Sequence, residues 1–115
     1  MQIPAFKTLA ILAFGAQYAS AYVITMYSGV NCDGDSQENN VWDNTCSTPS
    51  FGFQSFKPKA YGGGGQKASF TTANSCSLDR LAEFWADGGD DGFQIDKCVS
   101  FGEGHFANAA GSFTL

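Results

Sequence analysis

The chain is poor in the residues on which most site chemistry depends. It holds one histidine, His105, in 115 residues. That excludes any centre built on two imidazoles, and with it the commonest zinc and acid–base pairs. Cations are scarce too: Lys plus Arg is 6 against 11 for Asp plus Glu, a net charge of −5. A nucleic-acid binder needs surplus positive charge to displace counterions from phosphates, so no nucleic-acid partner is expected. Charged residues reach only 15% and hydrophobic ones 43%, a balance that excludes a disordered acidic tail or a linker. No G-x-S-x-G elbow and no C-x-x-C pair occurs, which argues against a serine hydrolase, a redox dithiol and a zinc knuckle. Past residue 21 no apolar run is long enough to cross a bilayer core of about 30 Å as a helix.

The chain opens with what reads as an export signal. In MQIPAFKTLAILAFGAQYASA a lone Lys7 precedes the apolar run Thr8 to Phe14, and Ala19-Ser20-Ala21 has the small-x-small pattern cut by signal peptidase. We read 1–21 as a signal peptide and 22–115 as a single domain, secreted and extracellular, with no membrane span. Losing Lys7 takes the net charge to −6 over 94 residues. A chain this small buries a modest core and usually needs covalent help.

Four cysteines can supply it: Cys32, Cys46, Cys76 and Cys98, all beyond the leader. An even number in an oxidising compartment points to two disulfides. Three connectivities are open; the sequential one, Cys32–Cys46 with Cys76–Cys98, is expected first because it staples each half of the chain.

Fourteen glycines and an aromatic set of Phe 11, Tyr 4 and Trp 2 indicate strands joined by tight turns. Tyr22 to Tyr27 is β-branched and aromatic and stops at Ser28-Gly29, a strand and a turn. Gly62 to Gly65 is expected to be a mobile loop dividing two halves, since Gly loses the most backbone entropy on ordering. Over 77–86 two readings stand. Leu78, Leu81, Ala82 and Trp85 sit at helical spacing, with Ser77 and Gly88 as caps; Leu81 to Trp85 also suits a strand. Phe93 to Asp96 alternates, and Ser112 to Leu115 makes a final strand.

Three landmarks recur. Tyr27 is followed by Gly34 after seven residues and Ser55 after a further twenty-one; Trp85 is followed by Gly92 after seven and Ser112 after a further twenty. This spacing resembles the Greek-key motif of the βγ-crystallin family, over roughly Tyr22–Ala60 and Leu81–Leu115. The resemblance implies a Gly that lets a hairpin fold back over its sheet, an aromatic covering that hairpin, and a Ser hydroxyl bonded to its backbone. Residues 61–80 fall outside both repeats. Family members include lens proteins, microbial calcium binders, small secreted killer or antifungal proteins and proteinase inhibitors. In size, leader and cysteine content the chain also resembles small secreted cysteine-rich effector or elicitor proteins of plant-associated moulds.

The expected fold is therefore all-β: two Greek-key motifs in a small crystallin-like sandwich or barrel, with one short helix near 77–86 as an option. A small α+β domain is the runner-up. The calcium ligands that the resemblance implies are degenerate here, for no acid precedes Ser55 and Asn108 stands alone before Ser112. Asp33, Asp35, Asp87, Asp90 and Asp91 read as solvated turns. We expect no cofactor and no metal. Glu103 and His105 are the one acid–base candidate, without a cationic group beside them, so no catalytic residue is assigned. Most of the aromatics are expected to fill the core; if either ring is exposed, Phe51 or Phe53, after the Pro49 loop, is the first choice for an interface. The expected function is a non-enzymatic secreted effector or elicitor, monomeric or homodimeric, that binds a protein or glycan on host or competitor surfaces. The alternatives are a killer-type antimicrobial toxin, disfavoured by the negative charge, and a proteinase inhibitor presenting either Ser47-Thr48-Pro49 beside Cys46 or the loop near Cys76.

Overall fold

A computed structural model describes residues 20–114. The expected leader lies outside the described residues apart from Ser20 and Ala21. Eight strands follow one another: β1 Ala21–Tyr27, β2 Ser36–Trp42, β3 Cys46–Ser47, β4 Ser55–Ala60, β5 Gln66–Thr71, β6 Arg80–Trp85, β7 Val99–Ser100 and β8 Ala109–Thr114. In β1 the side chains alternate, with Tyr22, Ile24 and Met26 fully buried, as a strand with one face on a core requires.

The strands make two four-stranded sheets, β2-β1-β4-β7 and β3-β8-β5-β6. β1–β4 form one Greek key and β5–β8 the other, and each lends its third strand to the other's sheet: β3 pairs with β8 and β7 with β4. The all-β sandwich of two Greek keys is what the sequence led us to expect. The optional helix over 77–86 is not formed; 80–85 is β6, antiparallel to β5. Leu78 and Trp85 of the expected helical face are exposed, and the inward turn of the adjacent pair Leu81 and Ala82 has a local cause. The register slips between Phe70 and Thr71, whose partners are Ala82 and Arg80, so Leu81 is a bulge residue. A bulge turns successive side chains toward one face, and Leu81, Ala82 and Phe84 all pack on the core.

That core is aromatic. Phe56 of β4 and Phe70 of β5 stack between the sheets with ring centroids 4.6 Å apart. Phe101 lies 5.6 Å from Phe56, and Phe93 5.8 Å. At one end Tyr22 sends its hydroxyl across the sandwich to the carbonyl of Gly111, 2.8 Å away.

The internal repeat is real, but in a different register from the expected one. Ser28 N–H donates to Asp35 O at 2.8 Å, closing the β1–β2 hairpin; Thr72 N–H donates to Asp79 O at 3.0 Å, closing β5–β6. Tyr27 pairs with Ser55 as Thr71 pairs with Ala109. The counterpart of Tyr27 is thus Thr71, not Trp85, and that of Ser55 is Ala109, not Ser112. The second Greek key begins at Gln66, inside the stretch that was expected to separate the halves.

The expected glycine and serine devices appear only in the first key. Gly34 has φ +84°, and a Cβ there would lie 2.5 Å from the Ser28 hydroxyl. The buried Ser55 hydroxyl accepts from Cys32 N–H at 2.8 Å and donates to Gly29 O at 2.6 Å. Gly92 instead backs onto the Phe84 ring. Ser112 accepts from the Gln66 amide at 2.6 Å and bonds no hairpin.

The disulfides are Cys32–Cys98 and Cys46–Cys76, which corrects the sequential pairing. Strand exchange explains it. Each hairpin cysteine meets the cysteine at the start of the other key's third strand, or immediately before it, because that strand lies in its own sheet. The loops closed span 66 and 30 residues, so each bridge contributes about 4 kcal/mol by restricting the unfolded chain.

The glycine run is likewise a built turn rather than a mobile divider. Gly62 N–H donates to Ala86 O at 2.7 Å, and Gly63 N–H to the Gln66 side-chain carbonyl at 2.8 Å. Gly65 N–H donates to Asp87 at 3.2 Å. A Cβ on Gly62 would fall 2.0 Å from that Gln66 oxygen. Glycine is needed because the buried Gln66 amide fills the turn from beneath.

Candidate functional site

The sequence-selected residues do not converge. Phe53 is fully buried and meets the Phe70 and Phe101 rings at 6.1 and 5.9 Å; an interface role for it is ruled out by its place in the core. Phe51 is half-buried and packed on the core. The ring that does face solvent nearby is Phe106, 42% exposed, against the position a Gly52 Cβ would take. His105 and Glu103 sit in an exposed turn closed by His105 N–H to Gly102 O at 3.1 Å.

The acidic turn is spent on its own backbone. Asp90 accepts from Gly92 and Trp85 N–H groups at 2.8 and 3.1 Å. Asp87 accepts from Gly89 N–H at 3.0 Å and from Gly65, and these bonds hold its carboxyl below the usual carboxylate range. Among the described residues no three His, Cys, Asp or Glu side chains come together as a metal site.

The concave feature lies over the outer face of the second sheet. There Cys46, Gly111, Ser69 and Glu83 stand in register across β3, β8, β5 and β6. The hairpin 72–79 folds back over this row, bringing Cys76 onto Gly111. A Cβ at Gly111 would lie 2.8 Å from the Cys76 sulfur and 2.9 Å from its Cβ, so only glycine leaves room for the bridge.

Two tripeptides meet at that bridge, Asn44-Thr45-Cys46 from the β2–β3 turn and Asn74-Ser75-Cys76 from the hairpin. With Ser77, Ser112 and Phe113 they line an open depression of about 650 Å³. Both walls are anchored. Thr45 O accepts from Ser112 N–H at 3.0 Å, and the Thr45 hydroxyl donates to Trp42 O at 2.6 Å. Ser75 O accepts from the Thr71 hydroxyl at 3.0 Å, and the Ser75 and Ser77 hydroxyls are 2.8 Å apart. Asn44 holds φ +60°, a conformation Asn tolerates better than most residues.

Among the described residues no charged side chain lines this depression. Just outside the lining, the Asp43 carboxylate accepts from the Ser112 hydroxyl at 3.4 Å, and a further charged strip along β5 and β6 is paired within itself. Lys67 pairs with Glu83 at 3.0 Å and lies 4.4 Å over the Trp85 ring, and Arg80 meets Glu83 at 3.2 Å. The sequence reading passed over Asn44 and Asn74, although a signal was there: Asn-Thr-Cys and Asn-Ser-Cys are matching tripeptides around two cysteines.

No family model, no curated protein and no solved structure matches this chain.

Proposed function

We propose that the chain is a secreted, non-enzymatic interaction protein of the effector or elicitor kind. It engages a protein or glycan on host or competitor surfaces. The observation that carries this reading is the cross-tying of the loops. Each folded hairpin is bonded through a disulfide to the other Greek key, so surface loops are held in fixed shapes. Those surfaces present Trp42, Leu78 and Phe106, all between 42% and 62% exposed. Fixed loops bearing apolar groups lower the ordering cost of binding. Two disulfides are compatible with an extracellular protein. The test is retention of the labelled, oxidised protein on intact plant and microbial cells. Saturable binding that reduction and alkylation abolish supports the reading. Turnover of a substrate that His105→Ala abolishes overturns it.

One observation favours a second reading, a proteinase inhibitor. The Ser47–Ser50 loop beside Cys46 is pinned to β2: Asn39 donates to the Ser47 hydroxyl at 2.7 Å, and Gln37 accepts from Ser50 N–H at 3.1 Å. Thr48 between them is exposed. A pinned, exposed segment next to a disulfide suits a substrate-like loop. A panel of secreted proteases showing no inhibition removes this reading.

A further inference from the structure

We propose that the depression between Asn44-Thr45-Cys46 and Asn74-Ser75-Cys76 binds a short neutral oligosaccharide. The inference rests on reading the chain as an interaction protein and names the chemistry of its ligand.

The lining decides the ligand's charge. The chain carries a net charge of −5, yet among the described residues no ionisable side chain lines this depression. An anion would find no cation in that lining and would meet the Asp43 carboxylate behind Ser112, and a metal ion would find no carboxylate in the lining itself. Either would exchange bulk water for neutral dipoles alone, with no opposite charge to offset the loss. An uncharged ligand meets no such cost.

The lining also decides the ligand's polarity. Asn44 and Asn74 stand on opposite walls, and among the described residues neither carboxamide is engaged by another protein group. Each offers a carbonyl acceptor and an NH2 donor. Ser77 adds a hydroxyl, and Phe113 contributes an apolar ring. Paired donors and acceptors around an apolar surface suit a pyranose, whose hydroxyls both give and accept hydrogen bonds while its carbon-bound hydrogens form an apolar face. A purely apolar ligand would leave both carboxamides unpaired, and a peptide side chain would use at most one wall.

Size and rigidity agree. About 650 Å³ falls within the usual range for small-ligand sites, and the open mouth lets a sugar chain extend past it. The walls are joined at Cys46–Cys76 and bonded to the strands behind them, so little order has to be created on binding.

The test is a chemical-shift titration of the full chain, expressed through a secretory host and oxidised. The probes are chitotriose, cellotriose and maltotriose at millimolar concentration. At least one should give saturable shifts confined to the amides of 44–46, 74–77 and Phe113. Asn74→Ala, and Asn44→Gly, which keeps the left-handed backbone, should each weaken that binding about tenfold, the loss of one neutral hydrogen-bonding group. Lys59→Ala, on β4 of the other sheet, should leave it unchanged. Silence with all three sugars overturns the proposal. So do shifts centred elsewhere, or folded variants that bind like wild type. Because mapping on the wild-type protein needs no variant, misfolding of one does not leave the matter open. If the sugars are silent while the oxidised protein is still retained on cells, the oligosaccharide inference falls and the interaction reading stands. If retention is lost as well, both fall.

Discussion

Phe53 and Ala107 hydrogen-bond to each other twice: Phe53 N–H donates to Ala107 O at 2.9 Å, and Ala107 N–H to Phe53 O at 2.8 Å. Phe53 stands two residues before β4 and Ala107 two before β8. Each is therefore the other's counterpart in the repeat, and the bridge lies where the two Greek keys are related by an approximate twofold. The same relation carries Cys32 onto Cys76 and Cys46 onto Cys98. The two disulfides are one structural bond made twice.

Peptide mapping of the non-reduced protein should recover Cys32 joined to Cys98 and Cys46 joined to Cys76, with no Cys32–Cys46 peptide. The two bridges should differ in worth. In the chain-entropy account the 66-residue loop outweighs the 30-residue loop by about 0.7 kcal/mol. Chemical denaturation of the Cys32→Ala/Cys98→Ala and Cys46→Ala/Cys76→Ala proteins should show the first less stable by about that margin. Equal losses would mean that strain or residual unfolded-state structure, rather than loop closure, sets their value.

Gly111 and Gly64 make a second comparison. A Cβ at Gly111 runs into the Cys76 sulfur and Cβ, whereas one at Gly64 meets nothing within 4 Å, and Gly64 is not among the residues at positive φ. Gly111→Ala should cost about 1–3 kcal/mol through overpacking beneath the disulfide. Gly64→Ala should be neutral or stabilising by up to about 1 kcal/mol, because it restricts the unfolded chain. Urea midpoints of the two variants check both. A tolerated Gly111→Ala would show that hairpin 72–79 is not held down on its sheet.

These particulars mark how far the sequence could be read. β1 was plain, because Tyr22 to Tyr27 is β-branched and aromatic and stops at Ser28-Gly29. The all-β class followed from such segments and from the glycine-rich turns. The register of the repeat was not plain. Ser55 has Ala109 for a counterpart and Tyr27 has Thr71, so the aromatic and the serine that mark the first key are missing from the second. The chance spacing of Trp85, Gly92 and Ser112 took their place. Disulfide pairing depends on which sheet receives β3 and β7, and two-residue strands leave almost no sequence signal. At the depression, Asn44 and Asn74 are thirty residues apart in sequence and become neighbours only through strand exchange.

Ser55 shows what the first key depends on and the second does without. Its hydroxyl is buried and joins the Cys32 amide to the Gly29 carbonyl. Ser55→Ala leaves both backbone groups without that partner and should cost about 1–3 kcal/mol. Ala109→Ser, its mirror image, places a hydroxyl where Ala109 is already fully buried and should not stabilise. Thermal melts of the two proteins check the pair. If Ala109→Ser raised stability while Ser55→Ala left it unchanged, the first hairpin would not owe its fold to this hydroxyl.

The alkaline limit of the fold should be set by Tyr22. Its hydroxyl is fully buried and donates to Gly111 O, and burial raises its pKa far above the ordinary 10.0. In the unfolded chain the same phenol ionises near 10.0. The stabilising difference is intact below that pH. It declines as pH rises further, because the unfolded chain releases a proton that the folded one retains. Ultraviolet titration should therefore show phenolate from Tyr22 appearing together with unfolding rather than ahead of it. Tyr22→Phe should remove this coupling, and at neutral pH it should lose about 1 kcal/mol with the bond to Gly111. A phenolate step that precedes unfolding in the wild type and disappears in Tyr22→Phe would mean that the hydroxyl reaches water, and that the end of the sandwich between β1 and β8 is open.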